Sequence, residues 1–317
     1  MMNEQTVKIV DIKKLTSRIK SFRLVSANGK KLAPFSPGSH VAVEITLEKK
    51  VRRNSYSLCS SPYETDFYEI AVLLAEKSRG GSQYLHQISV GTELNIGFPK
   101  NSFTLASLAR KHILIAGGIG ITPLLSMLTT LSRYQTTFEL HYTAKSQTEC
   151  AFYEFLKQKY GSQVTFYFSE KDERLSSNKI LKEQPLGTHI YLCAPHSLSD
   201  NFYAEARALG YPDLAIHREI FGAAKTNNKK PFTVVLSQSG KEITVPKDKT
   251  LLAALETAGF PVNYSCRVGG CGACELGVLA GEIHHLDSYY SPEERAKQNC
   301  ILSCTSRAKS KQLIIDL

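Results

Sequence analysis

No run of about 18 or more apolar residues occurs anywhere in the 317-residue chain, which excludes a membrane-spanning helix. The opening stretch MMNEQTVKIVDIKKLTSRIK carries no apolar h-region, so a secretory signal is not expected either, and the reading is of a soluble, cytoplasmic protein without a membrane partner. Lys and Arg outnumber Asp and Glu by 39 to 29. Yet no basic run is interleaved with aromatics and no groove-reading helix is recognisable, which argues against nucleic acid as a ligand. The paired short-spaced cysteines of structural zinc sites are missing as well: of eight cysteines, only one pair has Cys-x-x-Cys spacing.

What is present is unevenly distributed. Residues 231–317 hold nine Lys or Arg and nine Asp or Glu, so all of the formal +10 falls on residues 1–230. Basic surface on that part is expected to help dock an acidic partner. Between the two parts lies KTNNKK, 225–230, polar and without hydrophobic period, as suits a linker. Upstream, short alternating runs such as HVAVEITL and FYEIAVLLA, punctuated by SPGS, RGGS and SVGTE, predict an antiparallel β-barrel over 1–108. From HILIAGG onward, apolar strands alternate with helical segments such as TECAFYEFLKQKY and SDNFYAEARALG, which predicts an α/β domain with a doubly wound parallel sheet over 109–224.

Three stretches carry chemistry. In ILIAGGIGITPLLSML a buried strand runs into Gly117, Gly118 and Gly120, and Thr122 and Pro123 open a helix. Glycines there let a phosphate-bearing ligand approach the backbone. A second turn with Cys193, Ala194 and Pro195 ends another strand of the same sheet, where ligands of open α/β sheets bind. In the barrel, RRNSYSLCSSP and SRGGSQYLH offer Arg53, Asn54, Ser55, Tyr56 and Ser57 with Arg79, Gly80, Gly81 and Ser82, an anion cradle beside an aromatic ring, which suits FMN. The third is CRVGGCGAC: Cys266, Cys271 and Cys274 with four and two residues between them, followed by a distant cysteine, is the spacing of a plant-type [2Fe-2S] cluster. The fourth ligand is either Cys300 or Cys304.

The order of RRNSYSL, RGGS, GGIGITP, CAP, CRVGGCGAC and SCTSRAKS resembles the phthalate dioxygenase reductase family, the reductases of Rieske oxygenase systems, over essentially the whole chain. The resemblance implies a flavin barrel, a pyridine-nucleotide domain and a C-terminal α+β ferredoxin domain of β-grasp type at 231–317. It assigns the last cluster ligand to Cys304, adds Val72 and Leu73 to the flavin contacts, places Phe221 near the flavin ring, and makes Ser57, Thr122, Cys193 and Phe221 the catalytic set. One departure stands out: the family has Arg two places before the Tyr, whereas this chain has Asn54 there and Arg53 one place earlier, a variant similar to the carnitine monooxygenase reductase branch.

Electron counting joins the parts. NADH gives two electrons as hydride, a cluster accepts one at a time, and a flavin holds two and releases one, so the expected role is electron delivery to a terminal oxygenase. Glu170 and Asp172, near the end of a strand, favour the ribose of NADH over a 2′-phosphate, while Lys171 and Arg174 oppose that preference. A stand-alone flavin or ferric reductase would not need the ferredoxin part, and a simple metal-binding module would leave the first 224 residues without a task.

Overall fold

Val7 and Ile9 point inward while Lys8 and Val10 face solvent, and this two-residue period makes β1 (Glu4–Lys14) a half-buried strand rather than a helix. The computed structural model describes residues 4–47, 50–76, 80–221, 230–264, 267–270, 272–287 and 289–317. The same alternation continues in β2 (Ile19–Ser26), β3 (His40–Leu47), β4 (Lys50–Ser57), β5 (Tyr68–Leu73) and β6 (Glu93–Gly97). These pair in the order β4-β3-β6-β1-β2-β5, all antiparallel, and a bridge between Leu58 and Ile70 brings the two ends of the sheet together as a barrel. One short helix, α1 (Gly81–Gln87), sits where the sequence reads as a turn; its Leu85 is buried in the barrel core.

A second sheet is wholly parallel, in the order β11-β10-β7-β8-β9, and comprises β7 (Lys111–Gly117), β8 (Phe138–Ala144), β9 (Val164–Phe168), β10 (Thr188–Cys193) and β11 (Ile216–Arg218). Between these strands run α2 (Ile121–Arg133), α3 (Tyr153–Tyr160), α4 (Ser177–Leu181) and α5 (His196–Ala208). Two separate apolar clusters lie against the sheet. One unites Leu114 and Tyr142 with Leu124 and Leu128 of α2; the other unites Ile113 and Ile190 with Phe202 of α5, so helices cover both faces as a doubly wound sheet requires.

The chain divides into two compact units, Met1–Ile220 and Phe221–Leu317. The second is built on a mixed sheet, β13-β12-β18-β14-β16, from β12 (Phe232–Leu236), β13 (Glu242–Val245), β14 (Glu275–Ala280), β16 (Cys300–Leu302) and β18 (Gln312–Ile315), with β12 and β18 parallel. Helix α6 (Leu251–Thr257) packs Leu251 and Leu255 onto it. A two-stranded ribbon of β15 (Ile283–His284) and β17 (Arg307–Ala308) and a capped helix α7 (Pro292–Ala296) complete the unit. Of the expected linker 225–230, only Lys230 lies among the described residues.

Candidate functional site

On the flavin side, strand alternation decides which residues of RRNSYS can serve together. Arg53 lies opposite Glu44 in the β3–β4 register, and its Nη2 donates to Glu44 at 3.0 Å and to Glu4 at 2.6 Å. Asn54 and Tyr56 point to the other face. There Asn54 Nδ2 donates to the Tyr56 hydroxyl at 3.2 Å, and a Cβ on Gly81 would stand 2.1 Å from that same Nδ2. Gly80, at φ 101, turns the chain into α1 in a conformation that favours glycine. Ser82 Oγ accepts the Ala75 N–H at 3.2 Å, tying this turn to the chain just past Leu73. Val72 is buried and Leu73 half-buried on β5. Ser55 Oγ is buried without a hydrogen-bond partner among the described residues, and Ser57 is buried at the end of β4. Arg79 lies outside the described residues.

Asn54, Tyr56 and the Gly80–Ser82 turn thus lie together, with the Asn54 amide packed so closely on Gly81 that a side chain there has no space. Arg53, expected among the cofactor contacts, faces away and is held by two carboxylates. The one-place shift of the arginine relative to the family pattern puts it on the opposite face of the strand.

On the nucleotide side, the two turns at the carboxyl ends of neighbouring strands β7 and β10 interlock. A Cβ on Gly120 would lie 1.9 Å from the Cys193 carbonyl oxygen, and one on Gly117 would lie 2.5 Å from Pro195 Cδ and 3.1 Å from Ala194 Cβ. These two glycines serve close packing of the turns, Gly120 on the Cys193 backbone and Gly117 mainly on the Pro195 and Ala194 side chains. Gly118 differs: at φ +54 it has nothing within 4 Å of where a Cβ would be, so its backbone is open to a ligand. Thr122 is buried and its hydroxyl donates to the Ile119 carbonyl at 3.0 Å, bracing the turn from within; Pro123 is buried behind it. Asp172, at φ 56 and exposed beyond β9, accepts from Arg174 Nε at 3.0 Å.

The Cys193 thiol is buried, and burial first, then the neighbouring Glu219, pushes its pKa well above the ordinary thiol value, so it is present as the neutral thiol. Glu219 is a residue that sequence reasoning missed. Burial alone raises its carboxyl to about 8, and its Oε2 is buried with no hydrogen-bond partner among the described residues. A carboxyl held protonated beside the nucleotide turn can donate or hold a proton at Oε2. Its only trace in the sequence is an acidic residue immediately after a short strand, a signal too common to single it out.

The two sides meet. Leu73 from the flavin-side strand and Ile119 from the glycine turn pack against one small apolar cluster of Ile19, Ala71 and Ala151. That shared cluster packs β5 against the glycine turn that follows β7.

In the second unit, Cys274 and Cys304 belong to one buried cluster with Leu252 and Leu302, while Cys300 sits half-exposed on β16 opposite Gly277. Cys266 and Cys271 lie outside the described residues. Gly269 and Gly272 of the same loop adopt φ +77 and +73, and a Cβ at either would collide with Thr305 or with the Tyr289 ring at 2.5 Å. The SCTSRA segment is anchored through Ser303, Ser306 and Arg307. Ser303 Oγ donates to the Cys274 carbonyl at 2.9 Å, Ser306 Oγ donates to Asp287 at 2.7 Å, and the Arg307 guanidinium donates to the carbonyls of Lys230, Pro246 and Lys249. Two buried cysteines brought together under a glycine loop with no space for side chains suit an iron–sulfur cluster, whose thiolate ligands need a tight, dry wrap. Phe221 opens this second unit and is 41% exposed.

A flavin cradle adjoining an open dinucleotide turn, in one chain with a cysteine-bearing mixed-sheet unit, defines a flavin- and pyridine-nucleotide-dependent reductase that carries its own ferredoxin. Residues 234–309 match the family described as "2Fe-2S iron-sulfur cluster binding domain", and residues 99–216 match "Dimethylamine monooxygenase subunit DmmA-like, N-terminal domain". The carnitine monooxygenase reductase subunit of Escherichia coli K12 is 42% identical over 314 residues, covering 98% of each chain. The solved phthalate dioxygenase reductase, whose structure is described as modular for electron transfer from pyridine nucleotides to [2Fe-2S], superposes with a TM-score of 0.79 at 32% identity over 99% of this chain and 98% of that one. The P450 CYP116B46 of Tepidiphilus thermophilus matches 99% of this chain with a TM-score of 0.74 and 33% identity, but only 42% of its own length is involved.

The chain belongs to the phthalate dioxygenase reductase family. It is an oxidoreductase that passes electrons from NADH through a flavin to a [2Fe-2S] cluster as the reductase component of an oxygenase system. Among the described residues, no helix is long and apolar enough to cross a membrane.

Proposed function

We propose that the oxygenase served by this reductase is a Rieske-type non-haem iron protein in the cytoplasm, and that 1–108 binds FMN, 109–224 binds NADH and 231–317 binds the cluster, with 225–230 as linker. In this reading Asn54, Tyr56, Val72, Leu73, Arg79, Gly80, Gly81 and Ser82 hold FMN, and Gly118 with Ala194 and Pro195 meets the NADH pyrophosphate. Cys266, Cys271, Cys274 and Cys304 ligate the iron. When bound, the flavin takes up a hydride's two electrons and the cluster relays them singly. Tyr56 offers a ring for the flavin, Thr122 keeps the Ile119 turn rigid through its inward hydrogen bond, and the protonated Glu219 sits beside the neutral Cys193 without adding charge to the buried end of β10. Phe221 takes the flavin-facing role the family resemblance gives it.

The observation that supports the reading is the shared packing of Leu73 and Ile119 against Ile19, Ala71 and Ala151, which joins β5 to the glycine turn. The test is anaerobic reduction, by NADH and catalytic amounts of this protein, of a purified Rieske oxygenase and, in parallel, of a P450 haem domain. Rapid bleaching of the Rieske centre with a slow haem response is expected; the reverse order overturns the Rieske assignment. Equal rates with free ferric complexes as sole acceptors would favour a stand-alone reductase.

A further inference from the structure

The segment 285–290, between β15 and α7, holds the most completely buried carboxylate of the second unit's described residues. The Asp287 side chain has no exposed surface. Its Oδ2 accepts from Ser306 Oγ at 2.7 Å and faces His285 Nδ1 at 3.2 Å, and its Oδ1 accepts the N–H groups of Tyr289 and Tyr290 at 3.3 and 3.2 Å. Arg295 stands 3.8 Å from Oδ1 and donates to the Asp287 carbonyl at 2.6 Å. Burial would raise this carboxyl, but the hydrogen bonds from Ser306, Tyr290 and His285 and the Arg295 charge outweigh it and hold the group below its usual range.

What these contacts join matters more than their number. Ser306 is two residues beyond Cys304. On the other side, the glycine loop is seated on the same segment: a Cβ on Gly269 would lie 3.0 Å from both Cα and Cβ of Asp287, and one on Gly272 would strike the Tyr289 ring. Gly269 and Gly272 on one side and Ser306 on the other are therefore braced from one segment, and that segment carries a buried negative charge.

We propose that Asp287 is a positioning residue of the iron–sulfur site: through Ser306 and the backbone under Gly269 it fixes the loops that carry the cysteines, and its charge keeps the cluster's reduction potential low. The inference rests on the reading that Cys274 and Cys304 are cluster ligands. Outer hydrogen-bond partners of metal ligands change metal affinity by about 10- to 100-fold when removed, and hydrogen bonds and net charge around a cluster set its potential.

The test uses the full-length, flavin- and cluster-loaded protein. Asp287→Asn removes the charge with little change of shape, Ser306→Ala removes the tie while leaving the charge, and flavin absorbance verifies that the first unit is intact. Redox titration followed by electron paramagnetic resonance should show the cluster potential of Asp287→Asn shifted to more positive values with altered g-values. Ser306→Ala should keep a near-native potential but lose its cluster to a chelator about tenfold faster. A residue with a merely structural role would speed cluster loss without moving the potential, so an unchanged potential and spectrum in Asp287→Asn overturns the proposal. Should Asp287→Asn fail to take up a cluster, Ser306→Ala decides alone: native chelator resistance and a native spectrum overturn it. Failure of the ligand reading is distinguishable, because Cys304→Ser would then retain the cluster in an otherwise native protein.

Discussion

Arg53 and Glu44 face each other across the β3–β4 pair, guanidinium and carboxylate 3.0 Å apart, while the next residue, Asn54, turns its amide toward Gly81. Arg53→Gln should therefore leave FMN bound stoichiometrically and lower stability by about 1 kcal/mol, the scale of a partly exposed ion pair. Asn54→Leu, or Gly81→Ala, whose new Cβ must push the Asn54 amide aside, should weaken FMN about tenfold, the effect of losing one or two hydrogen bonds. Fluorescence of released flavin on dilution measures both.

Gly120 has a backbone carbonyl where its Cβ would be, so Gly120→Ala must spread the two turns at the ends of β7 and β10. A loss of about 2 kcal/mol in stability and a KM for NADH raised at least several-fold are expected, with FMN content unchanged. Gly118→Ala meets open space and bears only the left-handed strain of about 1 kcal/mol, but it places a methyl group where the dinucleotide approaches. It should raise KM with a smaller fall in melting temperature.

Glu219 titrates near 8 in the fold against an ordinary value of 4.5, because burial disfavours its charge. A folded-state pKa raised above the unfolded one gives stability that is fully present below about pH 4.5 and is lost as pH rises through about 8. Glu219→Gln cannot ionise and should match the wild type near the acid end of this window. Above pH 8 its melting temperature should exceed the wild type's by an amount corresponding to a few kcal/mol. Calorimetry across the window tests this; a constant difference between the two proteins would show that Glu219 is not the titrating group.

Tyr191 is sandwiched in a run of rings: His217 stacks on it at 4.4 Å, His112 at 5.8 Å, and His189 Nδ1 lies 2.9 Å from His217 Nε2. Burial, followed by the charges His189 and His112 would carry, lowers His217 to about 4, and burial also lowers His112 and His189. The unfolded chain binds these protons more readily, so stability present above about pH 6.5 is lost as pH falls through about 4. His217→Phe keeps a ring on Tyr191 and should remove about 2 kcal/mol of that acid-side loss, visible as a flatter low-pH limb in the unfolding curve.

Much of this organisation was legible in the residues. The period-two barrel strands, the alternation of strands and helices, and the spacing Cys266, Cys271, Cys274 are local patterns that propensity and geometry translate directly. What remained hidden depends on contacts between distant residues. The face on which Arg53 points follows from strand register, and one residue of shift reverses it. Gly80 and Gly81 read as a turn because a seven-residue helix beginning at glycine has little intrinsic propensity; α1 is held by burial of Leu85. Glu219 and Asp287 look like ordinary acids in the sequence, and only the walls that tertiary packing builds around them distinguish the protonated one from the ionised one.

Electrons entering from NADH are expected to leave through the cluster held by Cys304 rather than directly from the flavin. Rapid mixing of Cys304→Ser, Cys300→Ser and wild-type protein with NADH and a Rieske oxygenase, under anaerobic conditions, tests it most directly. Flavin bleaching should be equally fast in all three, while the cluster signal and oxygenase reduction should vanish in Cys304→Ser and persist in Cys300→Ser. Oxygenase reduction at the wild-type rate by Cys304→Ser, or its loss in Cys300→Ser alone, would contradict the account.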